Sequence, residues 1–231
     1  MAGVRRAAHS LTAAPCAPRR PERVDIARLR GAHALAATLE ALAATPECAA
    51  QAVTPVAAAR EDTMGLTSRD KRDAYYRLAK VHGYRARAAF KLIQMEDTLS
   101  LLKGATRVVD LCAAPGGWTQ VVAERCTARV VAVDLKEIAP VEGADMLVGD
   151  LTSALVVERI VSMIDGPADV VLCDGAPDVL DLGDVDAHLQ LSLCRAALAC
   201  ACKVLAPGGS FVCKIYRGRG SALFFDELRC V

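Results

Sequence analysis

Between Val108 and Trp118 the chain reads VVDLCAAPGGW. An apolar run from Val108 to Leu111, carrying an acid, breaks into Ala113–Gly117 before a helical pattern resumes at Trp118. This order predicts a buried strand, a tight turn and a helix start. The glycines let backbone approach a ligand without an intervening side chain, and the open N–H groups of the next helix favour a carboxylate or other anion. A turn of this kind is equally an ordinary tight connection in an α/β sheet. The segments around it decide between the two.

Four further apolar runs follow, each closed by a polar residue or a turn: Arg129 to Leu135 (RVVAVDL), Met146 to Asp150 (MLVGD), Ala168 to Cys173 (ADVVLC) and Ser210 to Tyr216 (SFVCKIY). Helical patterns separate them: through about Arg125, Leu151 to Ile164 and Val185 to Leu205. Continuous apolar strands alternating with helices predict a Rossmann-like, doubly wound α/β domain. Ligands of such sheets lie beyond the carboxyl ends of the strands. Asp134 is therefore placed for ribose hydroxyls and Asp150 for a base, although Asp150 with Thr152 also reads as a local cap for the next helix. Asp174-Gly175-Ala176-Pro177-Asp178 forms a rigid loop facing the ligand. Lys214 interrupts an apolar strand. An unpartnered buried ammonium is costly, and a carboxylate at the neighbouring strand end, Asp174, would relieve it.

Aromatic residues make up only 4% of the 231 residues, and the apolar fraction of 53% rests on Ala, Val and Leu, which suits a helix-rich α/β domain better than a β-sandwich. The ten cysteines show no CxxC pair and no zinc spacing. Cys112, Cys173 and Cys213 lie in or at the ends of apolar strands, where a thiol behaves as a small hydrophobe. A reducing compartment, the cytoplasm, and no bound metal are the expectations. No stretch reaches the ~18 apolar residues of a membrane span.

Residues 1–63 are rich in Ala, Arg and Pro and read as an extension without its own core, disordered or loosely helical. Ile26 to Leu42 has an amphipathic helical pattern interrupted by Gly31. The first 21 residues hold four arginines and no acid, as a mitochondrial transit peptide does, which gives the alternative location. From Met64 the texture changes. Between Thr67 and Lys91 eight Lys or Arg residues face two acids, with Tyr75, Tyr76, Tyr84 and Phe90 interleaved. Charge for phosphate and rings for bases make this a candidate RNA surface, with Arg72, Tyr76, Arg85 and Arg87 as its foremost contacts. In the helix from Ala88 to Asp97, Phe90, Ile93 and Leu92 are expected to turn inward. Lys91 lies on it.

DLCAAPGGW, VVAVDL, the GD after the third strand, CDGAPDV, PGG and FVCKIYRG stand in the order and spacing of the FtsJ/RrmJ-like ribose 2′-O-methyltransferases. MGLTSRDKRDAYYRLAKVHGYRARAAFKL and LGDVDAHLQ resemble the eukaryotic branch that acts on the tRNA anticodon loop. The resemblance spans residues 64–231. It implies S-adenosylmethionine as cofactor, with Gly116 and Trp118 lining its methionine part, Asp134 on its ribose, Asp150 on its adenine and Asp174 closing the site. It implies Lys91, Asp174 and Lys214 as catalytic residues, tRNA as substrate and a helper protein of repeat architecture. Lys214 would either take the 2′-hydroxyl proton or, as an ammonium beside Asp174, orient the hydroxyl and stabilise developing charge. Ribosomal RNA is the alternative substrate, and a non-catalytic RNA- or partner-binding remnant the alternative class. The family's fourth catalytic residue, a glutamate, lies on an edge hairpin beyond the last strand read here. The expectation is therefore a sheet lacking its last edge strands, with Lys214's strand as an exposed apolar edge.

Overall fold

The computed structural model describes residues 23–28, 53–56, 68–177, 184–216 and 220–231, with side chains for 74–177, 185–216 and 220–231. Among these the elements run β1 (Arg23–Arg28), β2 (Val53–Val56), α1 (Ser68–Val81), α2 (Ala89–Leu99), β3 (Arg107–Leu111), α3 (Gly117–Arg125), β4 (Arg129–Asp134), β5 (Ala144–Val148), α4 (Ala154–Ile164), β6 (Ala168–Cys173), α5 (Asp184–Val204), β7 (Leu205–Ile215) and α6 (Ser221–Arg229). The sheet order is β2-β1-β7-β6-β3-β4-β5. β3 to β7 are mutually parallel where they pair. The chain moves outward from β3 through β4 to β5, then returns to β3's other side with β6 and β7. That reversal places the crevice of a doubly wound sheet between the carboxyl ends of β3 and β6.

Strand alternation divides the inward-facing residues into two cores. Val109, Leu111, Val131, Val171, Cys173, Phe211 and Cys213 pack with α4, α5 and α6. Val108, Val130, Val170, Leu172 and Val212 pack with α2 and α3, through Leu92, Met95, Trp118, Val121 and Val122. With a period of two, Asp110, Asp174 and Lys214 continue the second set. The chemistry-bearing side chains therefore lie on the face covered by the helix that carries Lys91.

Two expectations change. The inward face of α2 is Ala89, Leu92 and Met95, spaced by three, while Phe90 and Ile93 are half-buried. The strand carrying Lys214 is not a bare edge: β1 pairs antiparallel with β7 from Arg23↔Ile215 to Arg28↔Ser210, and β2 pairs antiparallel with β1. Ile26–Arg28, read as a helix start, belong to this strand. The rest of the amphipathic pattern, and the extension apart from β1 and β2, lies outside the described residues, as do Asp178 and the Arg72 side chain.

Candidate active site

The turn after β3 has the geometry its sequence demands. Gly116 adopts φ 104° as the N-cap of α3. A Cβ there would stand 2.9 Å from Arg85 Nη1 and 3.3 Å from Ile138 Cγ2, so a side chain is strained by the backbone conformation and would push the Arg85 guanidinium aside. Gly117, Trp118, Ala113, Ala114 and Pro115 line a recess together with Ala86, Ala88, Asp110, Cys112 and Asp174. Trp118 is buried and its Nε1–H donates to the Ala88 carbonyl at 2.8 Å, tying α3 to the segment before α2.

Asp134, at the end of β4, accepts from the Ala114 N–H at 2.9 Å and from the Lys136 N–H at 2.8 Å. Its carboxylate is thereby fixed beside the glycine turn. Asp150 Oδ1 accepts from both the N–H and the hydroxyl of Thr152 at 2.8 Å, a local turn ahead of α4 that does not cap it, since the helix's N-cap is Ser153 without a side-chain cap bond. These bonds keep the Asp150 carboxyl below the usual carboxylate range.

At the end of β6, Asp174 meets both lysines. Lys214 Nζ lies 3.5 Å and Lys91 Nζ 3.6 Å from Asp174 Oδ1. Lys214 Nζ also donates to the Asp174 carbonyl at 3.0 Å and lies 5.6 Å from the centre of the Tyr216 ring. The costly lysine is thus 7% exposed but partnered, as its position required. Asp174 Oδ1 is buried without a hydrogen bond, although two ammonium groups lie near it. A buried acceptor without a donor is expensive, and a donor entering the recess would satisfy it. Gly175 follows because a Cβ there would meet Cys112 Sγ and Leu193 Cδ2, each at 2.9 Å.

Asp110 forms the floor. It is 1% exposed and accepts from the Thr119 hydroxyl at 2.6 Å. Burial, countered by Thr119 and reinforced by the negative charges of Asp174 and Asp134, pushes its carboxyl up to about 7. Asp110 has no role among the expectations from sequence; an acid inside an otherwise apolar strand is the signal that points to it.

The basic, aromatic segment is organised differently from the reading of its composition. Arg85 turns its guanidinium onto protein carbonyls, donating to Ala139 at 2.5 Å and Pro140 at 2.7 Å, with a longer bond to Pro115 at 3.4 Å. It is a clamp across the loops that follow β3 and β4. Phe90 is the hub of a ring cluster, 5.7 Å from Tyr75, 5.7 Å from Tyr84 and 6.0 Å from His82. Tyr84 is further held by Glu124, its hydroxyl donating at 2.6 Å. Burial and that bond push the phenol up to about 12. Of the four rings expected to stack on bases, three instead pack together, because residues flanking a short loop between helices bury apolar area against one another. Tyr76 remains 55% exposed, with Lys80 Nζ 4.8 Å from its ring centre. Arg87 is also exposed.

Among the described residues no group of three or more His, Cys, Asp or Glu is arranged to hold a metal, and no helix is long and apolar enough to cross a membrane. A family model described as FtsJ-like methyltransferase matches residues 84–231. The chain is 51% identical over 171 residues to the tRNA (cytidine(32)/guanosine(34)-2′-O)-methyltransferase of Homo sapiens, the match covering 72% of this chain and 52% of that protein. It is 47% identical to the corresponding enzyme of Schizosaccharomyces pombe, over 72% of this chain and 63% of that protein. The ribosomal RNA large subunit methyltransferase E of Methanothrix thermoacetophila is 47% identical over 70% of this chain and 64% of its own. The chain thus spans about half the length of the human relative it matches. The crystal structure of a putative ribosomal RNA methyltransferase from Plasmodium falciparum superposes with a TM-score of 0.55 at 22% identity, over 62% of this chain and 85% of that one, and agrees in fold. With the motifs on successive strand ends and the family model matched from Tyr84 to Val231, this chain belongs to the FtsJ-like methyltransferase family.

Proposed function

We propose that this chain transfers a methyl group from S-adenosylmethionine to a ribose 2′-hydroxyl in a tRNA anticodon loop. The observation that carries the reading is the Lys91–Asp174–Lys214 cluster, in which a buried carboxylate oxygen without a hydrogen bond sits 3.5–3.6 Å from two ammonium groups at the mouth of the crevice. The residues present fit the cofactor. The recess lined by Ala113, Ala114, Pro115, Gly117 and Trp118 and the orphaned oxygen of Asp174 are features of a ligand cradle. Gly116 and Trp118 would hold its methionine part, Asp134 its ribose and Asp150 its adenine. When bound, the cofactor supplies a methyl group on a positively charged sulfur, an excellent leaving group.

The work left to the protein is positioning and electrostatics. Asp174, fixed by two lysines, aligns the substrate hydroxyl. Lys214, placed beside Asp174 and the Tyr216 ring, stabilises negative charge that develops on the ribose oxygen, and the proton passes to water. A carbon–oxygen bond forms as the carbon–sulfur bond breaks. Lys91, on α2, joins this centre to the basic segment, where Tyr76, Arg87 and Arg72 are the RNA contacts proposed. The names of the tRNA-modifying relatives favour tRNA over ribosomal RNA. A separate helper protein that selects the nucleotide belongs to the same proposal, as does a reducing cellular compartment, in keeping with the free state of all the described cysteines.

The test is methyl transfer from labelled S-adenosylmethionine to unmodified tRNA, alone and with cell extract, with the product mapped for 2′-O-methylation. Label in an anticodon-loop ribose is the expected result. Label on ribosomal RNA alone would replace the substrate. No transfer to either, with the cofactor bound, would favour the non-catalytic class.

A further inference from the structure

The β6–β7 ladder ends at the pair Cys173↔Cys213, one residue short of both Asp174 and Lys214. The two reacting side chains therefore stand just past the last pair of that ladder. Beyond that point the strand ends are joined by the Lys214 Nζ bond to the Asp174 carbonyl and by a side chain from α5. Gln190 is 1% exposed. Its amide Nε2 donates to the Lys214 carbonyl and, at 3.5 Å, to the carbonyl of Gly175, next to Asp174. Its Oε1 accepts from the Tyr216 N–H at 3.2 Å. One turn later on the same helix face, the Cys194 thiol donates to the same Lys214 carbonyl at 3.2 Å.

We infer that Gln190 is a positioning residue for methyl transfer, replacing the missing rung between the ends of β6 and β7 and so fixing Lys214 against Asp174. A primary amide suits the task because it offers donors and an acceptor at one point. It satisfies the backbone of both strand ends at once. A buried glutamine beside an apolar core is otherwise hard to account for, since a leucine or methionine of similar volume would avoid burying the amide. The tyrosine it holds is the one whose ring faces the Lys214 ammonium, so the amide sets two of that ammonium's neighbours. A misplacement of about 1 Å at a reacting centre can cost about a hundredfold in rate, and loss of the rung lets the Lys214 backbone drift relative to Asp174.

The role rests on the methyl-transfer reading, and the experiment separates the two. Gln190→Met keeps the volume without the hydrogen bonds, and Gln190→Glu keeps the acceptor while losing both donors. Leu198→Ala, on the same helix but in the core, serves as a control for plain destabilisation. Steady-state kinetics on tRNA, below all the melting midpoints, should show kcat reduced about ten- to a hundredfold in both Gln190 variants, with KM for cofactor and tRNA nearly unchanged. The control should retain kcat. In parallel, trace acetylation of lysines mapped by mass spectrometry should show Lys214 labelled faster in both variants, and unchanged in the control. Wild-type kcat in either Gln190 variant, or a loss no larger than that of Leu198→Ala, overturns the assignment. If the wild-type chain transfers no methyl group, the functional reading fails while the labelling still decides: unchanged Lys214 reactivity in both variants overturns the positioning role.

Discussion

Lys214 concentrates the site's electrostatics in one buried atom. Removing it leaves Asp174 paired with Lys91 and takes away the charge proposed to face the substrate oxygen. Lys214→Ala is expected to lower kcat by about a hundredfold or more while cofactor affinity, measured by equilibrium dialysis, stays close to wild type. Turnover within a few-fold of wild type would remove Lys214 from the chemistry. Asp110 makes a separate prediction through stability. Its folded carboxyl titrates near 7 against an ordinary value of 3.8, because burial disfavours the charged form. Between those values the unfolded chain releases a proton that the folded chain keeps, so this group's contribution falls as pH rises from about 4 to about 7 and is level above. Asp110→Asn, uncharged throughout, should therefore gain stability relative to wild type across that window, by something of the order of a few kcal/mol. Urea unfolding of both proteins at several pH values measures it. A difference that does not change with pH would place the carboxyl's titration elsewhere.

Arg85 shows why an element cannot be read from its composition. Its guanidinium joins the loop after β4 to the turn before α3, across 54 and 55 residues to Ala139 and Pro140. Arg85→Ala should loosen the cofactor-side loops and weaken S-adenosylmethionine binding by roughly 1 kcal/mol, about fivefold, without altering the salt dependence of tRNA binding. Arg85→Lys should not restore it, since an ammonium lacks the planar fork that spans neighbouring carbonyls. Arg87→Glu should do the reverse, lowering tRNA affinity and its salt slope while leaving cofactor binding intact. Equilibrium titrations at two or more salt concentrations distinguish the pair. The parallel strands and the helices between them were legible because apolar runs ending in Asp or Gly-Pro turns leave few alternatives, and the meeting of Asp174 with Lys214 followed from the cost of a buried ammonium. The clamp of Arg85, the ring cluster around Phe90 and the rung made by Gln190 were not legible. Each depends on contacts between distant segments, and neither charge nor aromatic content tells a side chain turned to solvent from one turned onto backbone.

The whole sheet is completed from the opposite end of the sequence to the one its motifs suggest. Read from its strands alone, β7 should present a row of unpaired N–H and C=O groups, yet β1 pairs with it over six residues, with Val24 opposite Lys214, and β2 pairs in turn with β1. An antiparallel partner suits this edge because it comes from a segment free of any crossover constraint, and it satisfies backbone that would otherwise template association between chains. The pairing runs through the strand that carries Lys214, the lysine proposed to act in the transfer, so it bears on the site as well as on solubility. A chain beginning at Met64 lacks both strands and should expose the outer edge of β7. Light scattering coupled to size-exclusion chromatography is expected to show it self-associating where the 231-residue chain does not. Its methyl transfer should fall, because the register partner of Lys214 is gone while Gln190 and Cys194 still grip the same residue from the other side. A 64–231 chain that stays monomeric and transfers methyl groups at the full-length rate would show that β7 needs no partner, and that the support of Lys214 comes from α5 alone.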